Sequence, residues 1–522
     1  MKVQKDNVMW QISFWMKRLL GSSILVGGLV FALLVLFASV SVIGFNFSAI
    51  IGYGLVIFCI WIVFEAAMRC GGKWSEKYEP WIVLIVFFIF YLVVMRIAPE
   101  FGQRMMPFDS LRAQKSLEAG HIAFFRPTKF YYWVNYDLLL STLGVVFSPK
   151  LIVGQIVNAL CRAAALYPIF RLSERISGRR FARLVTIAAA LSPALTLYST
   201  TLVGDYISAM FYLYAFYFFV TKSDHERFSV DNFVLWVIVG LLAGFGYLFK
   251  TTSFLYVAAF VVWAILAILE EYRIRVALQI CLAASAIGLA HGSVKALRSH
   301  VFGAACEIAK VKECGASSFT SGVLYEMWLG LCVQTGGWYS PIRDKTFRAA
   351  SKEKQVEMVT NMLKTDRAKY PRFMVDKFCN VWGSNDAPGS VLYWFRMSCQ
   401  KDCYNTRDKN YCVAWLKPIL RAEYLFLAIL FLLGAGGFLC SMRRRMDFLE
   451  VGIVSTIIVV SFAVMSMLIE SHSRYRVAVY PFFFLLMPYA CVWFEKDNPV
   501  YVRLARWASV LTLKLKRRGN ER

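Results

Sequence analysis

Residues 192–216 read SPALTLYSTTLVGDYISAMFYLYAF, an apolar and hydroxyl-rich stretch in which Asp205 is the one charged side chain. The residues after Asp205 are apolar and aromatic enough to form a helix in a bilayer, so we expect the chain to turn back into the membrane at this carboxylate. Aspartate is also favoured at helix N-termini, so the alternative interpretation is a simple helix cap. Either way, the stretch predicts a membrane protein with an acidic side chain at a helix start.

The composition of the whole chain agrees with a membrane protein. Of its 522 residues, 58% are hydrophobic, 16% aromatic and 17% charged, and the mean hydropathy is +0.54. A soluble globular chain would be less hydrophobic. The formal net charge is +25, but the Lys and Arg residues cluster beside apolar runs, which is typical of topology signals and contacts with anionic lipids. We therefore expect membrane lipids as partners and no nucleic acid.

Apolar runs of roughly 20 residues predict about twelve transmembrane helices. The runs lie near 22–43, 48–68, 81–98, 151–171, 182–198, 205–221, 232–249, 253–269, 276–292, 420–440, 448–469 and 476–494. The first lacks a small-residue cleavage site in register, so we expect a retained span and not a signal peptide. The predicted fold class is an all-α polytopic membrane protein.

Lys and Arg in the short loops predict the orientation. With the N-terminus inside, most of them fall in the cytoplasm, including those of loop 171–183. The apolar stretch 131–148 must then lie along the outer surface or re-enter, because a further span would export that loop. Its aromatic start, with Asn135 and Asp137, fits an interfacial helix.

This orientation divides the chain into five regions. They are the cytoplasmic N-terminus with two extra transmembrane helices (1–80), a transmembrane core with an exterior first loop at 99–150 (81–292), an exterior, mostly helical domain (293–419), C-terminal transmembrane helices (420–494) and a basic cytoplasmic tail (495–522). In the exterior domain, the apolar spacing from Tyr370 to Trp382, with Pro371 near the start, predicts a helix.

The exterior domain holds seven of the 13 cysteines, and an oxidising compartment would pair some of them. Candidate bridges are Cys306 with Cys314 and one pair among Cys399, Cys403 and Cys412. Because seven is odd, either at least one thiol stays free or fewer bonds form. No histidine lies near the CQKDC stretch to complete a zinc site, so we predict no metal site there.

Cations on the predicted exterior side are exceptions to the positive-inside pattern. They include Lys129 in the first loop, Lys250 at the end of a span, and Arg474 and Arg476 in the short turn that follows Glu470. Any one of them could simply reach from a span end to the headgroups. As a set on one side of the membrane, they predict a site for a phosphate or a phospholipid headgroup.

Three further side chains are singled out by their position. Asp109 follows the third span and precedes a helical pattern, where it is either an N-cap or a functional carboxylate. Arg162 lies within a span, which is costly unless the side chain faces a polar interior. His472 lies in the turn with the arginines, where it either assists a site or sits in the membrane interface.

The order of several stretches resembles that of integral-membrane glycosyltransferases of the GT-C class. The stretches are MPFDSLRAQKSLEAGH (106–121), LSERISGRRFARL (172–184), LSPALTLYSTTLVGDY (191–206), GLLAGFGYLFKTTSFLYV (240–257) and ESHSRYRVAVYPFFFLL (470–486). The chain looks most like protein O-mannosyltransferases and bacterial lipid A aminoarabinose transferases, over about residues 80–292 and 448–492.

The resemblance implies a GT-C-like fold that moves a sugar from a polyprenyl-phosphate donor to an acceptor hydroxyl on the non-cytoplasmic face. By position, Asp109 matches the general base and Asp205 a second acid that orients acceptor or donor. Lys250 and Arg474 match basic positions near the donor phosphate, with Arg476 beside them. These cations would stabilise the negative charge that grows on the leaving phosphate.

The same resemblance sets the remaining expectations. Arg162, Lys129 and His472 are candidates for the cavity around such a site. No cofactor is expected, and dependence on a divalent metal stays open. The expected acceptor is a glycan, lipid or protein of the cell envelope, and the expected location is a bacterial inner membrane with the active face outside, in the periplasm.

Other functional classes remain open. A transporter or flippase for a lipid-linked glycan would also have many spans and a basic cavity, although the hydropathy has no inverted repeat. An O-antigen polymerase or ligase would carry its basic residues chiefly in a large exterior loop. If the exterior domain bound a partner and the spans only anchored it, fewer than twelve spans would be enough. The sequence has no P-loop, dinucleotide fingerprint, HExxH or nucleophile elbow, so nothing supports ATP-driven transport or soluble-type hydrolysis.

Overall fold

The computed structural model describes part of the chain, and its secondary structure is helical. The described residues are 26–38, 47–70, 72–97, 109–120, 131–192, 195–196, 202–222, 229–249, 256, 259, 262, 274–308, 319–337, 341–383, 416–443, 449–468 and 479–494. No strand occurs among them. The all-α class predicted from the sequence is therefore confirmed for this part of the chain.

The helices are numbered here in chain order. They are α1 (Val26–Ala38), α2 (Phe47–Cys70), α3 (Gly72–Ile97), α4 (Asp109–Ala119), α5 (Tyr131–Val146), α6 (Leu151–Ser177), α7 (Arg179–Ala190), α8 (Asp205–Lys222), α9 (Val230–Phe249), α10 (Ile274–Ile308), α11 (Phe319–Gly330), α12 (Pro341–Arg348), α13 (Lys352–Thr365), α14 (Tyr370–Trp382), α15 (Leu416–Arg443), α16 (Leu449–Leu468) and α17 (Tyr480–Leu486). A 3₁₀ segment, Met487–Phe494, continues α17.

Six stretches of the described helices are long and apolar enough to cross a membrane. They are Ile50–Cys70, Tyr78–Met95, Leu151–Ser177, Val230–Phe249, Pro418–Phe438 and Val451–Leu468. Shorter apolar helical stretches run over Val26–Ala38, Cys281–Leu297 and Tyr480–Cys491. Each of the nine coincides with a run predicted to span, as expected of an integral membrane protein. The total of about twelve spans stays a prediction.

Helix α7 differs from its predicted span. The apolar run predicts a helix over 182–198, whereas α7 begins at Arg179 and ends at Ala190, with Leu191 as its C-cap. Pro193 follows two residues later in the sequence. Proline has no backbone N–H and disfavours a helical conformation in the residue before it. The helix therefore stops partway along the apolar run.

Glycines bring neighbouring helices into close contact. A Cβ added at Gly240 of α9 would lie 2.5 Å from the carbonyl oxygen of Ile287 in α10, and one at Gly244 would lie 2.8 Å from the Val294 side chain. Small residues at this spacing allow two helix backbones to approach each other. Gly144 of α5 likewise faces the carbonyl group of Leu117 in α4.

Helices α11 to α14 belong to the predicted exterior region and have a small apolar core of their own, formed by Tyr325, Leu329, Phe347 and Val359. The helix predicted over 370–382 is confirmed as α14. Cys332 and Cys379 are free thiols. The candidate bridges of the other five cysteines involve side chains outside the described part.

The end of α14 is packed into the apolar helices. Trp382 is fully buried, and its Nε1 donates to Ser466 Oγ of α16 at 3.1 Å. Its rings contact aromatic side chains of four helices, namely Phe31, Phe378, Phe462 and Phe483. Trp382 thus joins the α11–α14 region to α1, α16 and α17.

Candidate active site

The structure describes some of the predicted site residues and not others. Arg162 and Asp205 are described with their side chains, and α4 begins at Asp109, whose side chain is outside the described part. The residues that lie outside the described part altogether are Lys129, Lys250, His472, Arg474 and Arg476.

Asp205 is the first residue of α8 and is buried, with 7% of its surface exposed. A carboxylate in the first turn interacts favourably with the helix dipole. The preceding residue, Gly204, packs closely against two other helices: a Cβ there would lie 3.3 Å from Phe249 Cβ and 3.6 Å from Tyr136 Cδ2. The start of α8 therefore lies where α5 and the end of α9 meet.

Side chains of α5 fix this junction. Asn135 Nδ2 donates to the carbonyl oxygen of Leu248 at 2.9 Å. That carbonyl is in the last turn of α9, where helices leave acceptors without partners. Tyr136 Oη donates to Asn158 Oδ1 of α6 at 3.4 Å. Asn135, one of the two polar residues that predicted an interfacial helix, thus binds another helix of the bundle.

Asp137 is a second buried carboxylate at the junction, with 1% of its surface exposed. It follows Tyr136, whose ring packs against Gly204, so Asp137 and Asp205 flank the same contact between α5 and α8. The sequence interpretation had assigned Asp137 only to a membrane interface. An acidic residue inside an otherwise apolar helix is the signal that could have identified it.

Helix α4 lies along α5. The backbone of Leu117 meets Gly144, and Gly120 meets Val145, so the C-terminal ends of the two helices are together. Because the helices pack side by side, their N-terminal ends lie at the other end of the pair. The start of α4, which is Asp109, is therefore on the same side of the pair as Tyr136 and Asp137.

Arg162 of α6 lies inside the bundle next to the end of α7. Its Nη2 donates to the carbonyl oxygens of Ala190 at 3.0 Å and Ser192 at 3.2 Å, and to Thr196 Oγ1 at 2.9 Å. Its Cζ lies 4.4 Å from the centroid of the Tyr91 ring. The guanidinium thus binds the carbonyl groups that become available where α7 ends.

Glu423 of α15 was missed by the sequence interpretation. It is fully buried and accepts a hydrogen bond from Ser192 Oγ. Its place in the apolar run 420–440 is the signal that could have identified it, since intramembrane carboxylates are rare.

Within the described residues, no group of three or more His, Cys, Asp or Glu side chains is arranged to hold a metal ion. Asp137 and Asp205 therefore form no such group with a third described ligand. The chemistry that the described part offers near α8 is that of buried carboxylates, with the Arg162 guanidinium at the end of α7.

A comparison with protein families gives one match. Residues 136–295 match the family described as dolichyl-phosphate-mannose-protein mannosyltransferase. This agrees with the resemblance noted in the sequence. Within this segment the chain is similar to glycosyltransferases of the GT-C class. The matched segment includes Arg162, Asp205 and Lys250, whereas Asp109 and Arg474 lie outside it.

Solved structures give a more distant likeness. One is the Archaeoglobus fulgidus oligosaccharyltransferase in the apo form, with 12% identity and a TM-score of 0.30 over 83% of the present chain and 60% of the archaeal chain. Another is the oligosaccharyltransferase AglB of Archaeoglobus fulgidus in complex with an inhibitory peptide and a dolichol-phosphate, with 12% identity, a TM-score of 0.29 and the same two coverages. The present chain thus covers less than two thirds of the length of these archaeal chains. No curated protein matches it.

Proposed function

We propose that this protein is a glycosyltransferase of the GT-C class, which moves a sugar from a polyprenyl-phosphate donor to a hydroxyl group of a cell-envelope glycan, lipid or protein, on the non-cytoplasmic face of a bacterial inner membrane. The observation that carries the proposal is the buried carboxylate of Asp205, at the junction of α5, α8 and α9 inside the matched segment. The donor class is supported by the description of the matched family, which names a dolichyl-phosphate sugar.

In the proposed reaction Asp109 is the general base. Its carboxylate takes the proton from the acceptor hydroxyl as the oxygen attacks the anomeric carbon of the sugar. The bond between that carbon and the phosphate oxygen breaks, so the polyprenyl phosphate leaves and the anomeric configuration inverts. The position of α4 beside α5, with its start on the side of Tyr136, supports a role for Asp109 next to Asp205.

Asp205 is proposed to orient a hydroxyl group of the sugar or the acceptor. An ionised carboxylate accepts short, charge-assisted hydrogen bonds, and a buried one is shielded from competing water. The helix that begins at Asp205 is packed on α5 and α9, so the carboxylate has a fixed position. Fixed acceptors of this kind hold a substrate in a reactive geometry.

Cations are proposed to stabilise the leaving phosphate. Lys250, Arg474 and Arg476 supply the charge, and Lys250 directly follows the helix whose end packs on Gly204. Arg162 is proposed for the surrounding cavity, together with Lys129 and His472. Arg162 Nη1 is buried and has no hydrogen-bond partner in the part of the chain that the structure describes, so this nitrogen is the one left for a further acceptor.

The proposal is tested by the mass and linkage of envelope glycans, lipids and glycoproteins from matched cells. The cells carry the wild-type protein, a deletion, Asp109→Asn, Asp205→Asn or the control Glu118→Gln, at equal membrane levels. Glu118 is exposed on α4, where it accepts a hydrogen bond from Gln114 at 2.7 Å. We expect one sugar to be absent in the deletion and in both aspartate variants and present in the control. Unchanged envelope sugars in the deletion would refute the proposed function.

A further inference from the structure

Ser192, the first residue after the cap of α7, is held by two oppositely charged side chains. Its carbonyl oxygen accepts a hydrogen bond from Arg162 Nη2 at 3.2 Å, and its hydroxyl group donates to Glu423 Oε1. Both charged side chains are buried, with 5% of Arg162 and none of Glu423 exposed. A buried guanidinium and a buried carboxylate are each costly without polar partners, and here both bind Ser192, in the segment 191–204 between α7 and α8.

The segment between α7 and α8 is also held by hydrogen bonds at a second place. Tyr206 Oη, one residue after Asp205, donates to the carbonyl oxygen of Leu195, and both groups are buried. Thr196, next to Leu195, accepts a hydrogen bond from Arg162. A displacement at Ser192 or Thr196 would therefore reach the start of α8 through the Leu195–Tyr206 hydrogen bond.

We infer that Arg162 and Glu423 are positioning residues. Their hydrogen bonds hold the segment between α7 and α8 in place and so fix the position of the Asp205 carboxylate. The role of Asp205 itself rests on the proposed function. That Arg162 and Glu423 hold the segment between α7 and α8 rests on the hydrogen bonds alone. Glu423 acts from α15, which lies outside the matched segment, so the C-terminal helices contribute to the geometry of the site.

The structural step is tested by hydrogen–deuterium exchange of the full-length protein in lipid nanodiscs. The variants are Arg162→Met, Arg162→Lys, Glu423→Leu and Glu423→Gln, with Arg171→Gln as the matched control. Arg171 lies on the same helix and pairs with Glu174 of that helix at 3.0 Å. We expect amides of 190–206 to exchange about tenfold faster in Arg162→Met and Glu423→Leu, because each leaves a buried polar group without its partner. Unchanged exchange would overturn the inference.

The conservative variants distinguish a hydrogen bond from general packing. Glutamine at 423 keeps an oxygen that can accept from Ser192, so Glu423→Gln should restore much of the protection that Glu423→Leu loses. Lysine at 162 keeps the positive charge but presents a flexible ammonium group in place of the rigid, planar guanidinium, so it should restore less. Equal exchange in all four variants would indicate that packing alone is disturbed, and would contradict the assigned roles.

The positioning step is tested by a double-mutant cycle on sugar transfer, with kcat and KM measured separately. If Arg162 acts through Asp205, the double variant Arg162→Met, Asp205→Asn should be no slower than Asp205→Asn. Losses that multiply would show that Arg162 acts independently and would overturn the positioning role. If Asp205→Asn transfers normally, the proposed role of Asp205 fails, and the exchange experiment still decides whether Arg162 and Glu423 hold the chain.

Discussion

Arg183 of α7 offers a large predicted effect on stability. Its guanidinium binds the carboxylates of Glu79 and Glu65 together, and Nη2 lies 2.9 Å from Glu79 Oε2. The Arg183 side chain is 6% exposed, and the side chains of Glu79 and Glu65 are 0% and 10% exposed. The two glutamates belong to α3 and α2, so this one cation joins three helices.

Arg183→Met would leave two carboxylates in a buried place with fewer cations. Breaking a buried ion pair by removal of one partner costs about 3–5 kcal/mol, because the remaining charge has no compensation. Arg179 remains near Glu79 at 3.7 Å and Arg69 near Glu65 at 3.3 Å, so we expect the lower part of that range. Arg180 provides the matched control: it is 74% exposed and 3.4 Å from Glu65, and exposed pairs contribute about 0–1 kcal/mol.

The assay is thermal unfolding of the purified protein in detergent, measured as the loss of folded protein with temperature. Arg183→Met should unfold several degrees below Arg180→Met. The triple variant Arg183→Met, Glu65→Gln, Glu79→Gln should recover most of the loss, because it removes the uncompensated charges along with the cation. Equal and small losses in Arg183→Met and Arg180→Met, or no recovery in the triple variant, would refute the reasoning.

Three further predictions concern packing and the α11–α14 region, with the same thermal assay as the measurement. Gly240→Ala should destabilise by about 1–3 kcal/mol because its Cβ would meet the backbone of Ile287, whereas Gly292→Ala, with nothing within 4 Å of its Cβ, should not. Equal stability of the two would contradict the close packing of α9 and α10. Trp382→Ala should cost about 3–5 kcal/mol and speed proteolysis of the α11–α14 region, whereas unchanged cleavage would count against this attachment. Tyr370→Phe should cost about 1 kcal/mol through the lost 3.0 Å hydrogen bond to the Leu331 carbonyl. Burial raises the pKa of the Tyr370 hydroxyl group, and the negative charge of nearby Asp366 raises it further. The stability that neutral Tyr370 contributes is therefore present below the ordinary tyrosine pKa and is lost as pH rises through the raised pKa of Tyr370. The wild type should then lose stability at alkaline pH more steeply than Tyr370→Phe. Parallel pH profiles would contradict the assignment.

The positions of the apolar helices could be predicted because hydropathy and local spacing determine them. Helix α14 followed from the apolar spacing after Pro371, and each of the nine apolar stretches coincides with a predicted span. Such features depend on neighbours within a few turns of the same helix.

The end of α7 was not predicted, although Pro193 is a local signal for it, and the side chains that bind the residues at that end are distant in the sequence. Arg162 is 28 residues before Ala190, and Glu423 is 231 residues after Ser192. The local sequence is apolar on both sides of the interruption, so hydropathy continues the span through Pro193. The burial of Asp137 depends in the same way on helices packed around α5 from elsewhere in the chain.

The candidate site was predicted in part. Asp205 stood out because no other charge lies in its stretch, and the structure places it, buried, at the start of a helix. Glu423 was not singled out, and Asp137 was interpreted only as part of an interfacial helix. Their importance becomes visible only when contacts between helices are known.

The most direct test of the central claim is the identity of the donor that accumulates when transfer stops. Lipids would be extracted from cells with wild-type protein, Asp109→Asn and Glu118→Gln, and their polyprenyl-linked sugars identified by mass. The proposed function predicts that a single sugar on a polyprenyl monophosphate accumulates in Asp109→Asn alone, as its transfer to the envelope is lost. Accumulation of a glycan on a polyprenyl diphosphate would instead indicate a polymerase or ligase, and no accumulation of either would contradict a lipid-linked sugar donor.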